Sequence, residues 1–399
     1  MFLVPFVLIS QAYRQQVLKF EGFRGIYQPD FSTCSKRDWD SYKGIFQAGP
    51  LNIMKSEFSV TIFHGTWTQK GKKLYLRTEK FMQRNLHRKP SDQSHETFLG
   101  GFVFEIGKAG ILRLVPGHGM YQKSKLTFRP IKPIKIIEGL ALFAKSNAMD
   151  PNYEMSTANA VYGQFYDYRN SLSPTMLGIL KSGEPLPIRT EAAGQLISVR
   201  TEKVVGEVGD LLLKQDQSKD REKAVFRRFL SAVVRESHLR SSFDIGVKAY
   251  EAKLISLSTM IGIAGNSGNP KAVAFLEDAS ADAKGSALVG ILVQLRELSG
   301  PEALAFALSQ EKSQDAEMQF EILRTRAEAE PSLELRDKAV QSLIDLFPKS
   351  EWMSQCDIAK SLGTAQTKLA HQGLLKINGK GIDEAVQQWI DEALSKYKK

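Results

Sequence analysis

The chain predicts an α+β fold: an antiparallel β-barrel or sandwich at the N-terminal end, followed by an α-helical domain that is solenoid-like or a bundle. Three observations carry that expectation. Between about Phe23 and Pro130 apolar residues alternate with period 2, the pattern of half-buried strands. Beyond Thr190 they recur at helical spacing instead. Charge divides in the same region: 22 Lys/Arg stand against 10 Asp/Glu up to Leu140, and 32 against 34 thereafter, within a net charge of +10.

Taken in order, Met1–Ile9 is apolar apart from Pro5, and Ser10-Gln11-Ala12 puts small residues before Tyr13. That reads as a short secretory signal over 1–12, without the usual basic start. It implies a periplasmic or secreted protein, or a cytoplasmic one if the segment is not cleaved. No later stretch approaches the roughly 18 apolar residues of a membrane span. In the β region Phe58, Val60 and Ile62 alternate with Ser59 and Thr61, and Leu74 and Leu76 flank Tyr75. Phe102, Phe104 and Ile106 alternate around Val103 and Glu105, Leu112 and Leu114 surround Arg113, and Leu126 and Phe128 surround Thr127. Turn residues separate the runs at Gly49-Pro50, Lys70-Gly71-Lys72, Gly107–Gly110 and Pro116–Gly119. This sets a basic β domain over 13–140, with a polar, basic insertion near Lys80–Ser94.

Residues 141–190 read as a connector, entered by a helix at Ile136–Lys145 and punctuated by Ser173-Pro174 and Glu184-Pro185-Leu186-Pro187. The α-helical repeat or bundle domain spans 191–399. Phe226, Phe229, Leu230, Val233 and Val234 form one apolar stripe, and Val247, Tyr250, Leu254, Leu257 and Ile261 a second. Leu288, Ile291, Leu292 and Leu295 follow, and Val386, Trp389, Ile390 and Leu394 close the chain. A degenerate repeat links Asn269-Pro270-Lys271-Ala272 with Gly300-Pro301-Glu302-Ala303, 31 residues on, and Glu330-Pro331. Helix pairs recurring at such a spacing are how stacked-pair folds look in sequence.

Few residues point to chemistry. Phe20-Glu21-Gly22-Phe23-Arg24 with Asp30 resembles the start of phage-type muramidases, whose catalytic Glu opens an E-G-x-R segment with an Asp nine residues later. The resemblance implies a peptidoglycan-acting glycosidase with Glu21 as acid and Asp30 as its carboxylate partner. It covers about ten residues, and the family's T-I-G-Y-G-H string is absent. Val234-Arg235-Glu236-Ser237 is similar to the R-x-E-S helix of lytic transglycosylases, one residue short. Gly65-Thr66-Trp67 resembles the G-x-W of lipocalins, which implies a barrel, with Trp67 a floor residue or ligand contact. Gly262–Gly268 is glycine-rich like a phosphate loop but lacks its lysine and reads as an interhelix turn. The six histidines show no zinc spacing, and no metal or cofactor is expected. Cys34 and Cys356 have no CxxC partner and read as two free thiols or one long-range pair.

The remaining signal is a basic cluster: Lys70, Lys72, Lys73, Arg77, Lys80, Arg84, Arg88 and Lys89, with Trp67, Tyr75 and Phe81 interleaved. Cations with aromatic platforms hold anionic polymers. The reading that follows is a non-catalytic binding or scaffold protein of the bacterial envelope, whose β domain docks on an anionic surface or polymer while the helical domain binds a protein partner. An intact, cytoplasmic N-terminus would instead imply an RNA-associated protein. Solvated surface charge alone accounts for the same cluster.

Overall fold

The computed structural model describes residues 25–30, 51–53, 57–60, 63–81, 102–108, 111–115, 126–130, 135–147, 161–162, 164–166, 168–379 and 382–397. The expected signal over 1–12, Glu21, Cys34 and most of the basic insertion lie outside the described residues. The class is α+β, an antiparallel sheet followed by a mostly helical chain. The chain forms two compact units, Met1–Val199 with Ser218–Phe229, and Arg200–Gln217 with Leu230–Lys399.

The sheet of the first unit contains β1 (Gly25–Asp30), β2 (Leu51–Ile53), β3 (Glu57–Val60), β4 (Phe63–Lys70), β5 (Lys73–Phe81), β6 (Phe102–Ile106), β7 (Leu112–Leu114) and β8 (Thr127–Pro130). Each pairs antiparallel with the next, and β1 pairs again with β8, so the order closes on itself. Alternation decides which side chains meet. Tyr27 lies opposite Leu51, Leu74 opposite Phe104, Phe104 opposite Leu114, and Leu112 opposite Phe128, and all of these are buried. Phe104 meets Phe128 edge-on at 5.3 Å. The inward face is therefore core, which buries apolar area at about 25 cal/mol per Å². Burial also pushes the Tyr27 phenol up to about 12, because the phenolate would have to leave water.

Helices α1 (Ile136–Asn147), α2 (Arg169–Lys181) and α3 (Leu186–Leu196) belong to this unit, so the described part of the segment read as a connector is largely helical. Gln164 Nε2 donates to the Ile53 carbonyl at 3.0 Å, tying the segment before α2 to the end of β2. Ser173-Pro174, read as punctuation, lies inside α2. The Ser173 hydroxyl donates to the Asn170 carbonyl at 2.9 Å. That carbonyl is the acceptor Pro174 leaves without an amide donor, so the helix continues through the proline. Pro185 and Pro187 flank the start of α3, where a missing N–H costs nothing.

The second unit is helical: α4 (Glu202–Leu213), the end of α5 (Arg221–Arg235), α6 (Ser241–Glu251), α7 (Leu257–Ser267), α8 (Lys271–Ser280), α9 (Ser286–Leu298), α10 (Gly300–Ser309), α11 (Ala316–Ala329), α12 (Leu333–Leu346), α13 (Trp352–Ala365), α14 (Lys368–Ile377) and α15 (Glu384–Ser395). Thr201, Ser256, Asp315, Ser332 and Thr367 cap their helices, each accepting from the amide three residues on. Helices α7, α9, α11, α13 and α15 pack successively in one row, with α8, α10, α12 and α14 interleaved as a second. The similar segments at Asn269, Gly300 and Glu330 open α8, α10 and α12, all in the second row. Within the first row α13 and α15 approach so closely that a Cβ on Gly363 would stand 2.7 Å from the Ala393 Cβ and 2.9 Å from its Cα.

Two expectations fail here. The stripe Val247–Ile261 is not one helix: Lys253 adopts φ +56° between α6 and α7, and Ser256 caps a new start. The Gly262–Gly268 segment is not a turn. It is the body of α7, and its αL cap is Gly268 alone.

A buried polar cluster joins α9, α11 and α13. Arg296 pairs with Glu321 and lies 3.6 Å from Glu328; Arg324 reaches Glu321 at 2.7 Å, Asp357 at 3.1 Å and the Ser361 hydroxyl at 3.1 Å. Ser361 donates in turn to Glu328 at 2.5 Å. The Lys360 ammonium on α13 meets Glu297 on α9 at 2.7 Å, skipping α11. Burial works to raise the Glu297 carboxyl, but the Lys360 hydrogen bond and charge, backed by Arg296 and Arg324, hold it below the usual range. Cys356 is a free thiol, pushed up by burial first and by Asp357 and Asp383 second.

Candidate functional site

Strands β4 and β5 form a hairpin whose turn is Gly71-Lys72, with Lys70 paired to Lys73. Gly71 takes φ +58°, a left-handed backbone that a side chain would resist, and the Gln69 amide donates to its carbonyl at 2.8 Å. The turn sets the register: Thr68 faces Tyr75, Trp67 faces Leu76 and Thr66 faces Arg77. Because Leu74 and Leu76 point into the core, Lys73, Tyr75 and Arg77 stand on the outer face, joined across the pair by Thr66, Thr68 and Lys70.

These outer residues line a depression of about 430 Å³. Thr66, Thr68, Lys70, Tyr75 and Arg77 form its walls, Val103 of β6 lies next to Tyr75 by register, and Trp67 and Leu76 also contribute. Among the described residues neither Lys70 nor Arg77 makes an ion pair. The arrangement is a half-enclosed strip with cations at both ends, an aromatic ring and two hydroxyls between them, and an apolar floor. Cations, hydroxyls and a ring so arranged offer charge and hydrogen bonds to an anion.

The structure distributes the sequence candidates unevenly. Arg77 and Tyr75 line the depression, Lys72 and Lys73 are exposed at its turn end, and Lys80 belongs to β5 opposite His64. Trp67 is half-buried and shares the inward face with Leu76, toward the core. Arg84, Arg88, Lys89 and Glu21 lie outside the described residues. Asp30 ends β1 and receives Arg129 of β8, through Nη2 at 2.7 Å and Nε at 2.8 Å. Thr66, Thr68 and Val103 are site residues that composition does not single out. Register finds the two threonines: once Gly71 and Lys72 are the turn, Tyr75 and Arg77 must face residues 68 and 66. Among the described residues no group of His, Cys, Asp and Glu is arranged to hold a metal ion, and no helix is long and apolar enough to cross a membrane.

No family model and no curated protein matches the chain. Among solved structures it is similar to human deoxyhypusine hydroxylase in complex with glycerol, at 13% identity and a TM-score of 0.27, over 66% of this chain and 97% of that one. An engineered protein is similar at 17% identity and a TM-score of 0.25, over 57% of this chain and 97% of the other. Superpositions this loose carry no argument about fold or chemistry.

Proposed function

We propose that the chain is a non-catalytic binding or scaffold protein, periplasmic or secreted, whose β unit docks on an anionic surface or polymer while its helical unit holds a protein partner. In this reading the sheet works as a closed barrel that presents the β4–β5 hairpin, and the helix pairs stack as a solenoid with an extended face. The observation that carries it is the placement of Lys70 and Arg77, which make no ion pair among the described residues, on either side of Tyr75 in one open depression. Exposed Trp352 and Met353, 54% and 59% accessible at the start of α13, support the protein-binding half, since large exposed apolar residues are the usual anchors of interfaces.

Two measurements test the reading. The mature protein recovered from its host should begin at Tyr13 outside the cytoplasm; an intact Met1 in the cytoplasm overturns export. Binding to an anionic polymer should weaken steeply between about 50 and 200 mM salt, as counterion release requires. A flat salt profile removes the docking role.

A further inference from the structure

We propose that the β4–β5 depression takes an acidic polysaccharide in which charged sugars alternate with neutral ones; the inference rests on the docking reading above and narrows its ligand. Positive charge sits at the two ends of the strip. Lys70 and Lys73 face each other at the turn end, and Arg77 stands at the other. Lys73 and Arg77 are four residues apart on one strand face, about 13 Å at roughly 3.3 Å per residue. Glu105 faces Lys73 from β6, whereas Lys70 and Lys72 make no ion pair among the described residues.

The middle of the strip is uncharged. Tyr75 occupies it, with Thr68 across one strand pair and Val103, only 6% exposed, across the other. A polymer with an anion on every unit, such as a polynucleotide or polyphosphate, would set its central charge over Tyr75 and Val103 with no cation to meet it, an unfavourable desolvation. An alternating glycan puts a neutral ring there instead. Its C–H face lies on the Tyr75 ring, and its hydroxyls exchange hydrogen bonds with Thr66 and Thr68, while the flanking carboxylates reach Lys70 and Arg77. A flat lipid surface meets the exposed lysines of the turn but not the floor at Val103.

The test is calorimetric titration of the full-length protein at low salt. The probes are a glucuronate–N-acetylglucosamine repeat, poly(dT), phosphatidylglycerol vesicles and uncharged dextran. The alternating glycan should bind at least tenfold more tightly than the other three. Arg77→Ala, Lys70→Ala and Tyr75→Ala should each weaken it about tenfold, Lys108→Ala should leave it unchanged, and matched thermal melts certify the folds. Glycan binding that survives all three substitutions overturns the inference. If poly(dT) or vesicles bind equally well or better, and the same substitutions remove that binding, the inference falls while the docking reading stands. If no anionic probe binds, both fall.

Discussion

The cations of the two units are used in opposite ways. Lys70 and Arg77 stand at the walls of a shallow depression and make no ion pair among the described residues. Arg296 and Arg324 are almost wholly enclosed, with side chains 3% and 4% exposed, and both donate to Glu321. Arg324 also donates to the Ser361 hydroxyl and meets Asp357 at 3.1 Å, and the Glu328 carboxylate stands 3.6 Å from Arg296. A guanidinium that has been desolvated and matched by carboxylates is consumed by the fold. One left in water beside an aromatic ring is available to something else. Residue type does not separate the two cases; the surroundings do.

That contrast is broken most severely from the helical side. Glu321→Ala strips both Arg296 and Arg324 of a shared carboxylate and should cost roughly 3–5 kcal/mol of unfolding free energy, read by urea denaturation. Gly363→Ala forces a methyl into the Ala393 backbone and should cost about 1–3 kcal/mol by the same measurement. The sheet has its own buried titratable group in Tyr27. Its raised pKa means that the protonated form contributes fully below the ordinary tyrosine value near 10, and that this contribution is lost as pH rises toward about 12. Melting temperature should therefore fall across that window, and Tyr27→Phe should flatten the fall. The smallest structural effect belongs to the hairpin: Lys70→Ala and Arg77→Ala should change stability by less than about 0.5 kcal/mol. Each should also reduce the salt slope of anion binding by about 1, if a cation there meets one charge. A large stability loss at Arg77 would erase the contrast.

Much of the fold is legible along the chain. The alternation at Leu74/Leu76 and Leu112/Leu114 marks strands because their other face meets water, and Lys70-Gly71-Lys72 marks a hairpin because glycine alone enters its turn without strain. Legibility ends where one residue's role depends on another far away in sequence. Gly262 and Gly265 look like a loop, yet they lie within α7, and they are glycines where Arg235 and Gln294 lie against their bare backbone. Pro174 looks like a stop, and Ser173 removes the reason. The Arg296–Glu321–Arg324 cluster leaves no periodic trace, since its members occupy helix positions that ordinarily carry apolar residues. Of the site, the cations and Tyr75 are visible in composition, whereas the walls at Thr66 and Thr68 follow only from register.

The Lys360–Glu297 contact has a mechanical consequence. In an array where each helix pair touches only its neighbours, an end can fray one pair at a time. A tie that reaches from α13 to α9 across the helix between them opposes that fraying, weakly by itself because both side chains are partly in water. It does so more strongly together with the enclosed Arg296–Glu321–Arg324 cluster that joins the same three helices. The smallest piece able to detach is then three first-row helices deep, so amide exchange over α9, α11 and α13 should slow and quicken as a single block. A loaded array hinged at this point would bend on either side of the block rather than within it.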